Sequence, residues 1–254
     1  MNGTNNLEIA LQQTSWEAVN EAKRLNENAL PLIKKYGRDE DYKKRQIAVA
    51  CAGVIEDDGV VPVLTAELDD DNVNVRLEAA KAINKNPKPG VTDAVLEKLQ
   101  NSQEQVLKEI LALAAGKLPG EKTIEVLKKV QKSEEGQVSI NAQMALAKLG
   151  DGEAKEAIVK ELSDPLARTR YDALEKLIYI DDSALAAYAR RLLHDKADAI
   201  RIGNIKKPEY RRVCDQAVET IVFLLNLSVT FLVNKGRIYD DGEIREVDSK
   251  SRGN

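Results

Sequence analysis

Apolar residues in this chain return at helical spacing, and a nine-residue pattern returns with them. A β-branched or long residue, often followed by Arg, precedes two small positions and then a large aliphatic one. The clearest instance is Val75-Arg76-Leu77-Glu78-Ala79-Ala80-Lys81-Ala82-Ile83. Thirty-one positions earlier stands Lys44-Arg45-Gln46-Ile47-Ala48-Val49-Ala50-Cys51-Ala52, and 63 positions later Val138-Ser139-Ile140-Asn141-Ala142-Gln143-Met144-Ala145-Leu146. A further 31 brings Thr169-Arg170-Tyr171-Asp172-Ala173-Leu174-Glu175-Lys176-Leu177. A weaker instance, Val106 to Ala114, fills the gap, and Cys214 to Ile221 arrives about 13 residues late.

Between these segments lies a second class of helix with aliphatic residues at i, i+3 and i+4. Its members are Val60 to Leu68, Thr92 to Leu99, Thr123 to Val130, Glu153 to Leu162 and Ala184 to Leu193. Each ends in a short polar turn such as Asp69-Asp70-Asp71 or Ser163-Asp164-Pro165, and Pro/Gly breaks such as Leu118-Pro119-Gly120 separate the pairs. One such pair cannot bury its apolar face alone, so neighbours must stack, with Ala79, Ala80, Ala142 and Ala173 permitting close approach.

Helix pairs at this period, with "VRLEAAKAI", "INAQMALAKLGD" and "DPLARTRYDALEKL", resemble HEAT repeats of the short, phycobilisome-lyase-like kind over roughly residues 41 to 225. The resemblance implies an all-α, α-solenoid fold of the HEAT/armadillo type, a superhelix of about six helix pairs. It also implies an Asp in one turn pairing with the following Arg. Asp69 or Asp71 with Arg76, and Asp164 with Arg170, match that pattern, while Lys108 and Ser139 stand where an Arg is expected. A ladder broken mid-array follows as an expectation.

The expected domain is 1–227, with capping helices over 15–36 that Pro31 splits in two. Thr14 as N-cap and Glu17 as N3 read as a capping box. Trp16 reads as a capping aromatic, with a partner anchor as the rival. The extension 228–254 alternates around Gly turns and reads as a small C-terminal β-hairpin over 229–247, followed by a disordered tail from Ser249. A longer terminal helix is the rival.

Composition agrees with slim helix packing. The 254 residues hold 14 Gly, 7 Pro and 4% aromatics, too few turn-formers for a many-stranded β protein. Cys51 and Cys214 stand far apart, with His194 the one histidine, so no zinc-type cluster, metal or cofactor is expected. His194 in a charged turn reads as solvated, and Asp69-Asp70-Asp71-Asn72 reads as turn and cap chemistry rather than a calcium loop. No nucleotide or hydrolase motif appears, and the expectation is a non-enzyme. The polar N-terminus carries no signal peptide and no segment reaches the roughly 18 apolar residues of a membrane span, so the expected location is the cytoplasm.

Charge is unevenly spread under a net −4. Residues 55–75 hold seven acids and no base, whereas 190–212 hold eight bases against three acids and contain the one place where the period fails. Insertions in repeat arrays often carry binding. Arg201, Lys206, Lys207, Arg211 and Arg212 are thus candidates for an acidic protein partner, level with a reading as ordinary solvated bases. The acidic overall charge and scarce aromatics weigh against nucleic acid. The function read is a non-catalytic scaffold or adaptor binding another protein along its concave second-helix face. Glu78, Lys81, Asn141, Gln143, Asp172 and Glu175 are the contact candidates. An accessory chromophore-lyase-like subunit using Tyr171, Tyr179 and Tyr188, and a HEAT-like DNA-repair binder, are the alternatives.

Overall fold

The computed structural model describes residues 3–204 and 207–253. The chain divides into two compact units, Met1–Leu149 and Gly150–Asn254.

The first unit opens with α1 (Gly3–Gln12), α2 (Glu17–Leu25), a 3-10 turn over Asn26–Ala29 and α3 (Leu30–Tyr36). Helix α1 lies ahead of the expected cap, and Leu7 and Leu11 on it are fully buried. Pro31 falls in the first turn of α3, where its missing N–H costs nothing, and so divides the segment as expected. The Thr14/Glu17 capping box does not form. Thr14 takes a left-handed φ of 52°, and Ser15 Oγ accepts from Glu17 N at 3.3 Å instead. Trp16 is not a packed capping aromatic either, since 54% of it is exposed.

Three helix pairs and a lone second helix follow the predicted period. The second helices are α4 (Tyr42–Ala52), α6 (Val73–Lys85), α8 (Gln105–Ala115) and α10 (Gly136–Lys148), each packed on the one before. The first helices are α5 (Val61–Glu67), α7 (Thr92–Asn101) and α9 (Glu121–Ser133). Asn72 caps α6 by accepting from Asn74 N and Asp70 accepts from Asn72 N, the turn and cap chemistry expected of Asp69-Asp70-Asp71-Asn72, and Asp41 caps α4 by accepting from Lys43 N. Leu96, Leu99, Leu111 and Leu127 are fully buried, each contributing roughly 1.5–3 kcal/mol. Small residues set the spacing, for a Cβ on Gly53 at the end of α4 would lie 2.7 Å from the Ala82 Cβ on α6.

Basic side chains tie successive repeats together, but not in the expected register. Arg76 Nη1 donates to the carbonyl of Asp70 in its own turn, and Arg76 Nε donates to Glu104 of the next turn. Arg45 likewise binds the Asp39 carbonyl and the carboxylates of Asp70 and Asp71. Lys108 binds Glu134, so Lys serves the same role in the third rung. Each cation therefore takes its carboxylate from the following repeat, because the guanidinium lies over the carbonyls of its own turn and opens forward. Ser139 makes no rung, and its hydroxyl donates to the Gln131 carbonyl.

The second unit contains α11 (Gly152–Glu161), α12 (Ala167–Ile180), a short α13 (Ala186–Arg190), strands β1 (Asp198–Asn204) and β2 (Lys207–Arg212), α14 (Val213–Leu224) and α15 (Asp241–Ser251). Arg170 repeats the rung, with Nη1 on the Asp164 carbonyl and Nε on Asp195. The hairpin is antiparallel, pairing Arg201 with Tyr210 and Asn204 with Lys207.

The small C-terminal hairpin is thus present, but it is the insertion at 198–212, not 229–247. In that later stretch Tyr239 is buried and packs at a tilt against Phe231, ring centroids 5.6 Å apart, Gly236 turns the chain at φ 95°, and no strand forms. Asp240 and Glu243 then make a capping box that starts α15. The expected disordered tail from Ser249 is helical through Ser251, whose side chain is buried; Asn254 lies outside the described residues.

Candidate protein-interaction surface

The second helices of the first unit bury one side on their neighbours and leave another open. On α8 the open side carries Val106, Ile110 and Leu113, at i, i+4 and i+7. On adjacent α10 it carries Ile140 and Met144, at i and i+4. Val106 is 55% and Ile140 37% exposed, and the other three are half-buried. On α6 the corresponding side is charged, with Glu78 half-buried 4.0 Å from exposed Lys81.

Of the contact candidates, Gln143 is half-buried beside this strip. Asn141 is not a surface contact. It is 5% exposed, donates to the Glu109 carbonyl at 2.9 Å and accepts from Gln137, so it links α10 to α8. The apolar strip itself was absent from the candidates. Its signal was present as aliphatic residues at Leu113 and Met144, one repeat apart, in a column filled elsewhere by Ala50, Lys81 and Glu175.

In the second unit two of the basic candidates, Arg211 and Arg212, are neutralised by buried carboxylates. Arg211 is no surface base: 2% exposed, it donates to Glu219 at 2.7 Å, to the Tyr171 hydroxyl and to the Arg237 carbonyl. Arg212 is half-buried on the buried carboxylate of Asp215 and on the Tyr239 carbonyl. Lys196 pairs with Asp241. Arg201 and Lys207 remain exposed on the hairpin, while Lys206 lies outside the described residues. The insertion thus spends its two C-terminal arginines on anchoring the base of the hairpin.

The last two candidates lie on α12. Asp172 binds Arg168 at 2.8 Å, and Glu175 meets Lys235 at 3.4 Å. Glu175 borders a cleft of about 430 Å³ shared with Gln216, Glu219, Phe223 and Val233. Burial holds the Glu219 carboxyl above its ordinary range despite the Arg211 charge, and pushes the Tyr171 phenol up to about 12. Burial also pushes the thiols of Cys51 and Cys214 up to about 12 and about 11, which leaves neither as a thiolate nucleophile. His194 is exposed in its turn. Among the described residues no cluster of His, Cys, Asp and Glu is arranged to hold a metal, and no helix is long and apolar enough to cross a membrane.

Stacked pairs, rung cations at Arg45, Arg76, Lys108 and Arg170 and an Ala seam are the marks of one repeat type. Residues 29–116 match the family model of HEAT repeats. No curated protein matches the chain. Among solved structures, the complex of CpcE and CpcF of phycocyanin lyase from Nostoc sp. is similar, at 16% identity and a TM-score of 0.56, over 92% of this chain and 88% of that one. YibA from Escherichia coli matches at 19% identity and a TM-score of 0.45, over 92% and 86%. Human deoxyhypusine hydroxylase in complex with glycerol matches at 18% and 0.40, over 98% and 94%. With the HEAT-repeat match, the CpcE–CpcF likeness at 16% identity is one of fold, an all-α HEAT-repeat solenoid type with a small hairpin added.

Proposed function

We propose that this chain is a non-catalytic scaffold that binds another protein through the open face of its second helices. The observation that carries this reading is the apolar strip of Val106, Ile110, Leu113, Ile140 and Met144 on two adjacent helices. Two exposed and three half-buried aliphatic side chains on one face of a layer whose other side is well packed make a recognition surface rather than spare core. Their i, i+4, i+7 spacing suits the apolar stripe of a partner helix. The exposed Arg201 and Lys207 add a smaller cationic contact on the hairpin for an acidic segment.

A second reading is an accessory subunit of an enzyme. The fold likeness to the CpcE–CpcF complex supports it, that structure being an assembly of two proteins. The tyrosines it would use are dispersed: Tyr171 is buried against Arg211, Tyr188 stacks with Arg191, and the cleft beside Glu175 is lined by neither.

The test compares proteins captured by the wild type, by Ile110→Asp/Met144→Asp and by Arg201→Glu/Lys207→Glu, with circular dichroism confirming that each folds. A specific protein retained by the wild type and the hairpin variant, and lost from the helix-face variant, is the expected result. Loss only from the hairpin variant places binding in the insertion, and a partner kept by both overturns the reading of either surface. A change in bilin absorbance on mixing with the wild type supports the accessory-subunit reading instead.

A further inference from the structure

The cleft in the second unit is roofed by the chain's own C-terminal segment. Helix α12 supplies Glu175 and Ile178, α14 supplies Gln216, Glu219 and Phe223, and Val233 and Lys235 reach in from the irregular stretch between α14 and α15. That stretch is fixed at one end, where Tyr239 N donates to Asp215 and the Tyr239 hydroxyl meets Glu219 and Asn234. Ahead of that anchor the backbone is tied down, with Asn234 N on the Tyr239 hydroxyl, Thr230 N on Glu246 and the Leu232 carbonyl on Arg237, but two side chains stand in solvent. Leu232 is 72% exposed, and Lys235 touches Glu175 with a side chain that is itself 83% exposed.

We propose that this cleft receives a lysine or arginine side chain from a partner protein, and that Lys235 holds its place in the free chain. The proposal rests on the protein-binding reading above and assigns the partner chemistry for the second unit.

Lys235 makes the ion pair of Glu175 at the cleft. Arg211 pairs with Glu219 at 2.7 Å and Arg168 with Asp172 at 2.8 Å, and although the Arg168 charge is also felt at Glu175, the direct partner of Glu175 is Lys235 at 3.4 Å. An ion pair this exposed contributes little to stability, so a cation from outside exchanges with it at little cost. The walls suit the stem of such a side chain. Ile178, half-exposed Phe223 and Val233 offer apolar surface to methylenes while the charged end stays on the acid. Gln216 adds a polar wall with spare capacity. It is 1% exposed, yet its amide makes only long contacts, 3.4 Å from Arg211 and 3.5 Å to Thr220.

The probe is a fluorescein-labelled peptide with the sequence of residues 231–236, Phe-Leu-Val-Asn-Lys-Gly, and a twin with norleucine in place of its lysine. Anisotropy is read on the full-length wild type, on Lys235→Ala and on Lys235→Ala/Glu175→Gln, all checked for folding by circular dichroism. The lysine peptide is expected to bind Lys235→Ala at least threefold more tightly than the wild type, to lose that gain in the Glu175→Gln background, and to outbind its norleucine twin. Absence of binding, equal binding to wild type and Lys235→Ala, or indifference to Glu175 or to the peptide lysine each overturns the proposal. Repeating the titration on Lys235→Ala/Ile110→Asp/Met144→Asp separates the two readings, since the cleft result is expected to be unchanged there even if the helix-face reading fails.

Discussion

Arg45 reaches forward one repeat: its Nε donates to Asp70 Oδ2 at 2.6 Å while its Nη1 donates back to the Asp39 carbonyl at 2.9 Å. Asp70 sits 25 residues ahead of Arg45 and Asp39 six behind, and together these separations span the 31-residue period. The arginine therefore measures the repeat as well as stabilising it. Both partners are mostly buried, with side-chain exposures of 14% and 6%. Arg45→Met strands the Asp70 carboxylate and two turn carbonyls, and is expected to cost about 2–4 kcal/mol in urea unfolding. Arg24→Met, which removes an exposed i,i+3 pair with Glu21, serves as the control and is expected to cost under about 1 kcal/mol.

Arg211 and Glu219 make a second, deeper pair, at 3% and 9% side-chain exposure. Removing one member leaves the other charged in a dry site, whereas replacing both with apolar residues of similar size does not. Arg211→Met is expected to cost about 3–5 kcal/mol, and Arg211→Met/Glu219→Met clearly less, measured by the same unfolding. If the double variant is the less stable one, the pair contributes net stability beyond its own desolvation.

The periodic part of this fold was legible, and the reasons are local. Ala-rich second helices, polar turns and a fixed spacing leave one way to stack, so all six second helices from α4 to α14 fall within a few residues of their expected positions. The ends were harder to read. The stretch after Phe223 alternates like a hairpin, but Tyr239 has a buried slot against Glu219 and the Asp240–Glu243 box starts a helix, so tertiary contact and capping win over period-two patterning. Conversely, Ile200-Arg201-Ile202 alternates over only three residues inside a charge-rich insertion, too short a pattern to mark a strand until β2 pairs with it. Arg211 and Asn141 turn out buried where surface contacts were expected, for one physical reason: a basic or amide residue reads as free until its partner is known. Arg211 finds Glu219 eight residues on, and Asn141 finds a carbonyl 32 residues back. Neither spacing marks itself in a linear pattern.

Close helix approach predicts a sharp response to one methyl group. A Cβ at Gly53 meets the Ala82 Cβ at 2.7 Å and the Ala82 Cα at 3.0 Å, both on packed helix rather than on a flexible side chain. Gly53→Ala is expected to force α4 and α6 apart and cost about 1–3 kcal/mol, despite the usual benefit of removing a glycine. Gly120→Ala, with its Cβ 3.8 Å from the nearest atom, is expected to change the melting temperature much less.

The first unit also carries a built-in pH dependence. Glu67 is 7% exposed on α5, and burial, with the hydrogen bond and charge of Asp70 adding to it, pushes its carboxyl up from 4.5 to about 8. Asp70 moves the other way: burial opposes its ionisation, but hydrogen bonds from Arg45 and from Asn72 N prevail and hold it below its ordinary 3.8. The folded chain thus keeps a proton on Glu67 that the unfolded chain releases above 4.5, so this contribution to stability is complete below 4.5 and is lost as pH rises through about 8. The Asp70 contribution is present above 3.8 and is lost as pH falls. Of this pair only Glu67 changes between about 4.5 and 8, and with Glu219 also held above its ordinary range the melting temperature of the wild type is expected to decline across that window. Glu67→Gln keeps an N–H donor facing Asp70 but cannot ionise, so its melting temperature is expected to run flatter from pH 5 to 8. Parallel curves for the two proteins would show that Glu67 holds no extra proton in the folded chain.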